Sequence, residues 1–163
     1  MAEAKTVVGT RAELKARAQD LVPAISARAK ETDSLRRLPE DTVDEFRAAG
    51  LNRVLQPAIF GGAESHFGGL VDVISTIAGA CASTGWVLAQ YTIHNYMIAQ
   101  FPEKTQREVW GEKPGAFVCG VLIPALGKAV PVDGGWRLTG RWPFASGVMS
   151  ADWCILSAFE ASE

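Results

Sequence analysis

Apolar residues recur every three or four positions over the first two-thirds of the chain. Over the last third they alternate or form short unbroken runs, and the change of period falls near residues 111–115. Thr10 and Glu13 make a capping box ahead of a helix in which Leu14, Ala18, Leu21, Ile25 and Ala29 form one stripe. Pro23 is expected to kink or divide that helix. Pro39 predicts the first position of a second helix that stops at Gly50 and buries Val43, Phe46 and Leu51. Segments 70–82 and 84–101 are apolar on more than one face, which predicts two central helices, with Ser83 or Thr84 separating and capping them. A short amphipathic helix over 102–111 ends the helical part. Gly61, Gly62, Gly68 and Gly69 predict a loop whose backbone needs positive φ or close packing. A phosphate cradle is the functional alternative there, but no strand precedes the loop and neither G-x-G-x-x-G nor G-K-[ST] is present.

The apolar runs 115–123, 128–132, 136–142 and 152–159 predict four strands, the middle two joined by a hairpin at Asp133-Gly134-Gly135. The short stretch 113–163 is too thin for a closed barrel with its own core, so the sheet is expected to be unfinished.

Composition narrows the function classes. In 163 residues, 48% are hydrophobic and 21% charged, the balance of a globular protein, and a net charge of −2 offers no bulk attraction to nucleic acid or an anionic membrane. No apolar run approaches the ~20 residues that span a bilayer, and the polar N-terminus lacks a signal core, so a cytoplasmic location is expected. Cys81, Cys119 and Cys154 contain no C-x-x-C pair and are expected to be inert buried thiols. His66 and His94 are too distant in sequence to suggest a local metal site, and no metal is expected.

Candidate chemistry concentrates in "GRWPFASGVMSADW", residues 140–153, where Trp142, Phe144, Ser146 and Gly147 crowd a strand junction. One reading is a hydrophobic corner closed by a turn, with Ser146 capping its own backbone. The other is a platform for a flat ligand with polar edges, such as a flavin. His94 lies mid-helix on one face with Trp86, Gln90 and Met97. It reads either as a satisfied core residue or as a neutral base.

The order of "LPEDTVDEFRAAGLNRVLQPAIFGG", "ASTGW", "FPEKTQREVWG" and "VDGGWRLTGRWPFASG" resembles the acyl-CoA dehydrogenase superfamily, and most closely its flavin-dependent aromatic monooxygenase branch. The resemblance implies an α+β fold: an N-terminal α-helical domain (1–112), then the first strands of an antiparallel β-barrel domain (113–163), with the family's C-terminal four-helix bundle lacking, so that the chain is expected to be an N-terminal part. It implies the oxygenase of a two-component system that uses reduced FMN or FAD from a separate flavin reductase, with O2 and a small aromatic substrate, through a C4a-hydroperoxide. A homo-oligomer, tetrameric in full-length form, is implied as well. Trp142, Phe144 and Ala145 match the segment along the flavin ring, Ser146 a position near flavin N5, and Cys119 and Gly120 backbone contacts to the ring. His94 matches a histidine held against the phenol hydroxyl. Where dehydrogenases of the superfamily carry Thr-Glu-Pro, this chain has Leu122-Ile123-Pro124, followed by Ala125-Leu126-Gly127. This departure favours the monooxygenase branch. An acyl-CoA dehydrogenase-like enzyme acting on a thioester, and a non-catalytic helical module, are the alternatives.

Overall fold

In a computed structural model, residues 8–161 are described. Six helices come first: α1 (Arg11–Ala27), α2 (Ala29–Leu35), α3 (Glu40–Ala49), α4 (Phe67–Ala80), α5 (Ala82–Ile98) and α6 (Glu103–Trp110). Five short strands follow: β1 (Val118–Val121), β2 (Gly127–Val132), β3 (Gly135–Gly140), β4 (Trp153–Leu156) and β5 (Phe159–Glu160). The fold is α+β, with no closed barrel among the described residues.

The capping box forms as the sequence predicts: Thr10 Oγ1 accepts from the Glu13 N–H at 3.3 Å, and Glu13 Oε2 accepts from the Thr10 N–H at 2.6 Å. Pro23 neither divides nor ends α1, which runs four residues further before breaking at Arg28. A proline removes one intrahelical hydrogen bond, and the buried stripe of Leu14, Ala18 and Ile25 outweighs that loss. Pro39 stands just outside α3 as its cap residue rather than as its first residue, while Gly50 ends the helix at φ 68°. Val43, Phe46 and Leu51 are buried.

The expected glycine loop is shorter than the sequence suggests, because Gly68 and Gly69 lie in the first turn of α4. His66 caps that turn by accepting the Gly68 N–H on Nδ1 at 3.0 Å, and its Nε2 lies 3.1 Å from the Arg11 guanidinium. Arg11 also pairs with Asp72 at 2.6 Å, which ties α1 to α4. The break between α4 and α5 falls at Cys81, not at Ser83 or Thr84, which lie inside α5. The α5 helix is central, as its apolar pattern requires, and buries Leu88, Tyr91, His94, Asn95 and Ile98.

A chain of buried amides carries the helical layer into the strands. Asn95 Nδ2 donates to the Asn52 carbonyl at 3.1 Å, Asn52 Nδ2 to Ala116 O at 3.1 Å, and Gln56 Nε2 to Pro114 O at 3.0 Å. These bonds fix the entry to β1 against α5, since a buried amide left unpaired is costly.

The strands form two small sheets, β1–β4 and β3–β2–β5. The hairpin β2–β3 is antiparallel, as expected, but β1–β4 and β2–β5 are parallel. Parallel pairing needs a long crossover, and the hairpin and the following turn, residues 122–152, supply it for β1 and β4. The last apolar run is broken into β4 and β5 because its two halves pair with different sheets.

Candidate functional site

The turn after β3 is built around a strained aromatic residue. Phe144 has φ 63°, a left-handed conformation rare for a bulky side chain, and its ring is 92% exposed. Such a conformation costs about 1–3 kcal/mol and persists only where the surroundings impose it. Those surroundings are specific. Trp142 lies with its ring against Gly127 and Gly140 of the hairpin and donates its indole N–H to Ser157 O at 2.8 Å. Ser146 accepts the Trp86 indole N–H on Oγ at 3.0 Å, so its hydroxyl bonds across to α5 and not to its own backbone. Gly147 follows at φ 84°, and a Cβ there would meet the Tyr91 ring at 2.6 Å.

Tyr91 pins the turn from below. Its hydroxyl donates to Gly147 O at 2.6 Å, and its ring, fully buried, stacks on Phe117 at 4.4 Å with a 10° interplanar angle. The Arg47 guanidinium lies over the same Phe117 ring at 4.1 Å. Burial pushes the Tyr91 hydroxyl well above the ordinary tyrosine range, so it stays protonated and keeps donating.

Arg47 also reaches the end of the turn. It pairs with Asp152 Oδ2 at 3.0 Å and donates to Ser150 O at 3.0 Å, while Lys113 reaches Asp152 Oδ1 at 2.6 Å and the Phe117 N–H reaches Oδ2 at 2.8 Å. Burial opposes ionisation of Asp152, but hydrogen bonds from Lys113, Phe117 and Arg47 prevail and hold its carboxyl below the usual range. The turn 141–152 is therefore fastened near its start to Ser157 and the hairpin, in its middle to α5, and at its end to α3 and the start of β1.

The turn borders an open cavity of about 450 Å³ whose lining includes Trp142, Phe144, Ala145 and Ser146, together with Tyr91 and Arg37. Cys119, Gly120 and His94 lie outside that lining. His94 is buried on α5 against β1, so close that a Cβ at Gly120 would meet its Nε2 at 2.7 Å. Burial lowers the His94 pKa, and the Gln90 carbonyl one turn earlier offsets only part of this. The ring is thus neutral at pH 7, and its buried Nδ1 lacks a well-aligned partner. The cysteines are not uniformly buried as expected: Cys119, on the strand packed against α5, is buried, Cys81 at the end of α4 is half-buried, and Cys154 on β4 is exposed. No cluster of metal-ligating side chains occurs among the described residues.

The sequence reading missed Tyr91, Arg47, Asp152 and the Trp86–Ser146 bond. All depend on contacts 35 to 105 residues apart, which no local pattern reports.

Six helices that lead into short strands, with an aromatic turn fastened between them, define an α+β protein. The chain matches the acyl-CoA dehydrogenase N-terminal domain over residues 10–113 and belongs to that family. It is similar to the oxygenase component of FADH(2)-dependent resorcinol hydroxylase from Rhizobium sp. (strain MTP-10005), with 39% identity over 130 residues, 80% of this chain and 32% of that protein. Among solved structures it is similar to the HsaA monooxygenase from M. tuberculosis, with TM-score 0.89 and 33% identity over 95% of this chain and 42% of that one. It is also similar to XiaF from Streptomyces sp. in complex with FADH2 and glycerol, with TM-score 0.88 and 34% identity over 93% of this chain and 38% of that one. The chain spans about a third of the length of the curated relatives it matches.

Proposed function

We propose that this chain forms the N-terminal part of the flavin site of an oxygenase that hydroxylates a small aromatic or phenolic substrate. The reading takes residues 1–112 as the helical domain and 113–163 as the start of the β-domain. Reduced FMN or FAD comes from a separate reductase, as the names of the oxygenase-component relatives suggest, and O2 is the second substrate. Reduced flavin, when bound, supplies the electrons that activate dioxygen for transfer of one oxygen atom to the ring.

One observation carries the reading: Ser146 is oriented by an indole N–H on a turn whose neighbouring aromatic, Phe144, is strained and almost wholly exposed. The residues fit a flavin. Phe144 offers an open ring face, Trp142 and Ala145 line the same cavity, and Ser146 keeps its hydroxyl proton free to donate after accepting from Trp86. A donor fixed in place before the reaction stabilises developing charge without reorganising. Gly120, lacking a side chain, lets β1 close on His94. His94 is held neutral by burial, the state in which a histidine can take the proton of a substrate hydroxyl.

The test is to load the full-length oxygenase that contains this chain with reduced flavin, mix it with oxygenated buffer and a panel of phenols, and follow hydroxylated product and hydrogen peroxide. Hydroxylation, with peroxide release rising in Ser146→Ala, supports the proposal. Oxidation of an acyl thioester instead, with no phenol consumed, would move the chain to the dehydrogenase alternative.

A further inference from the structure

Two cysteines that the flavin reading uses only as backbone or not at all face each other in the β1–β4 sheet. Cys119 and Cys154 are paired in register on neighbouring parallel strands, which places both side chains on the same face. Adjacent strands run about 4.8 Å apart, inside the ~4.4–6.8 Å Cα separation that a disulfide spans. Cys119 is buried, whereas Cys154 is exposed. Burial, followed by the neighbouring Cys154 thiol, pushes the Cys119 thiol up to about 12. Cys81, the remaining cysteine, ends α4 and belongs to neither strand.

We propose that Cys119 and Cys154 form a peroxide-oxidisable dithiol that closes to a disulfide between β1 and β4. The exposed Cys154 sulfur, as thiolate, attacks one oxygen of hydrogen peroxide. The O–O bond breaks, hydroxide leaves and takes up a proton to become water, and Cys154 becomes a sulfenic acid. The Cys119 sulfur then gives up its proton and attacks the Cys154 sulfur. The S–S bond forms, the S–O bond breaks, and the hydroxyl leaves with that proton as a second water. Two thiols lose two electrons to one peroxide, which is reduced to two waters. The closing step needs the Cys119 thiolate, so its rate rises about tenfold per pH unit from neutral pH upward.

The cross-link would sit beside the site. Cys119 and Tyr91 share one packed core, and Tyr91 holds Gly147. The inference rests on the proposed oxygenase only for its natural source of peroxide, formed when oxygen activation is not followed by transfer. Added peroxide replaces that source in the test, so the two readings fail separately.

The experiment treats the chain with hydrogen peroxide in mildly alkaline buffer, unfolds it in an alkylating agent, and measures intact mass and non-reduced peptides. The expected result is a fall from three alkylatable thiols to one, a mass loss of about 2 Da, a peptide joining Cys119 to Cys154, and full reversal by dithiothreitol. Cys81→Ser should behave in the same way. Cys119→Ser should stop at a sulfenic acid on Cys154, trapped by dimedone. Dimers linked through Cys154, a wild-type chain halted at the Cys154 sulfenic acid with Cys119 still alkylatable, or retention of all three thiols would each overturn the proposal.

Discussion

At Ser146 the side-chain oxygen already accepts the Trp86 indole N–H, which leaves the hydroxyl proton to give. Ser146→Ala removes that donor and Trp86→Phe removes what aims it. Both should raise the fraction of oxygen released as peroxide, while ground-state flavin affinity falls by about 1 kcal/mol or less. Unchanged coupling between oxygen consumed and product formed in both variants would return Ser146 to a turn residue. His94 makes a separate prediction. His94→Asn should slow hydroxylation by about 10²–10⁴, and the defect should shrink as pH rises and the phenol ionises unaided. A loss that is flat with pH and accompanied by a lower melting temperature would mark packing alone. His94 also has a stability signature. Its folded pKa is depressed, so its contribution is full above the unfolded value near 6.5 and is lost as pH falls through the folded value, because the unfolded chain takes the proton first. Acid titration of the melting temperature should show this step in the wild type and lose it in His94→Asn.

Between elements, the Tyr91–Gly147 bond and the Asp152 cluster decide whether the turn keeps its shape. Tyr91→Phe leaves the stack on Phe117 but orphans the Gly147 carbonyl, and should cost about 1–3 kcal/mol by chemical denaturation. Asp152→Asn removes the charge that Lys113 and Arg47 face and should lower stability at neutral pH. The folded Asp152 pKa is depressed, so its stabilisation is present above the ordinary carboxylate value and disappears as pH falls through the lower folded one. The gap between wild type and variant should therefore close in acid, and a gap independent of pH would contradict this account. The helices were legible in the sequence because period and caps are local: Thr10, Glu13 and Gly50 announce their roles within four residues. The hairpin was legible for the same reason. The parallel pairing of β1 with β4 was not, since its register is set across the whole 122–152 crossover. Trp142, Phe144 and Ser146 were legible as a cluster by their composition, but the strain at Phe144 and the indole that holds Ser146 exist only in three dimensions.

Across the whole molecule, burial is uneven. The helical layer and β1 enclose Phe46, Leu88, Tyr91, Trp110 and Phe117 almost completely. The hairpin, the turn after it and the final strands leave Trp136, Leu138, Phe144, Met149 and Phe159 between 46% and 92% exposed. Exposed apolar area of this kind marks surface suited to a partner, so this chain should bind a hydrophobic dye strongly. Trp136→Lys with Leu138→Lys should reduce that signal while leaving the helical circular dichroism unchanged. No helix among the described residues is long and apolar enough to cross a membrane. The turn at Phe144 and Ser146 is the proposed seat of flavin. Even weak binding can be located by anaerobic NMR titration of this chain with reduced FMN and then FAD, reading backbone amides and indole N–H signals. Shifts are expected at residues 142–147 and the Trp86 indole, abolished in Phe144→Ala and reduced in Ser146→Ala. Shifts centred elsewhere, or none at saturating flavin, would contradict the proposal.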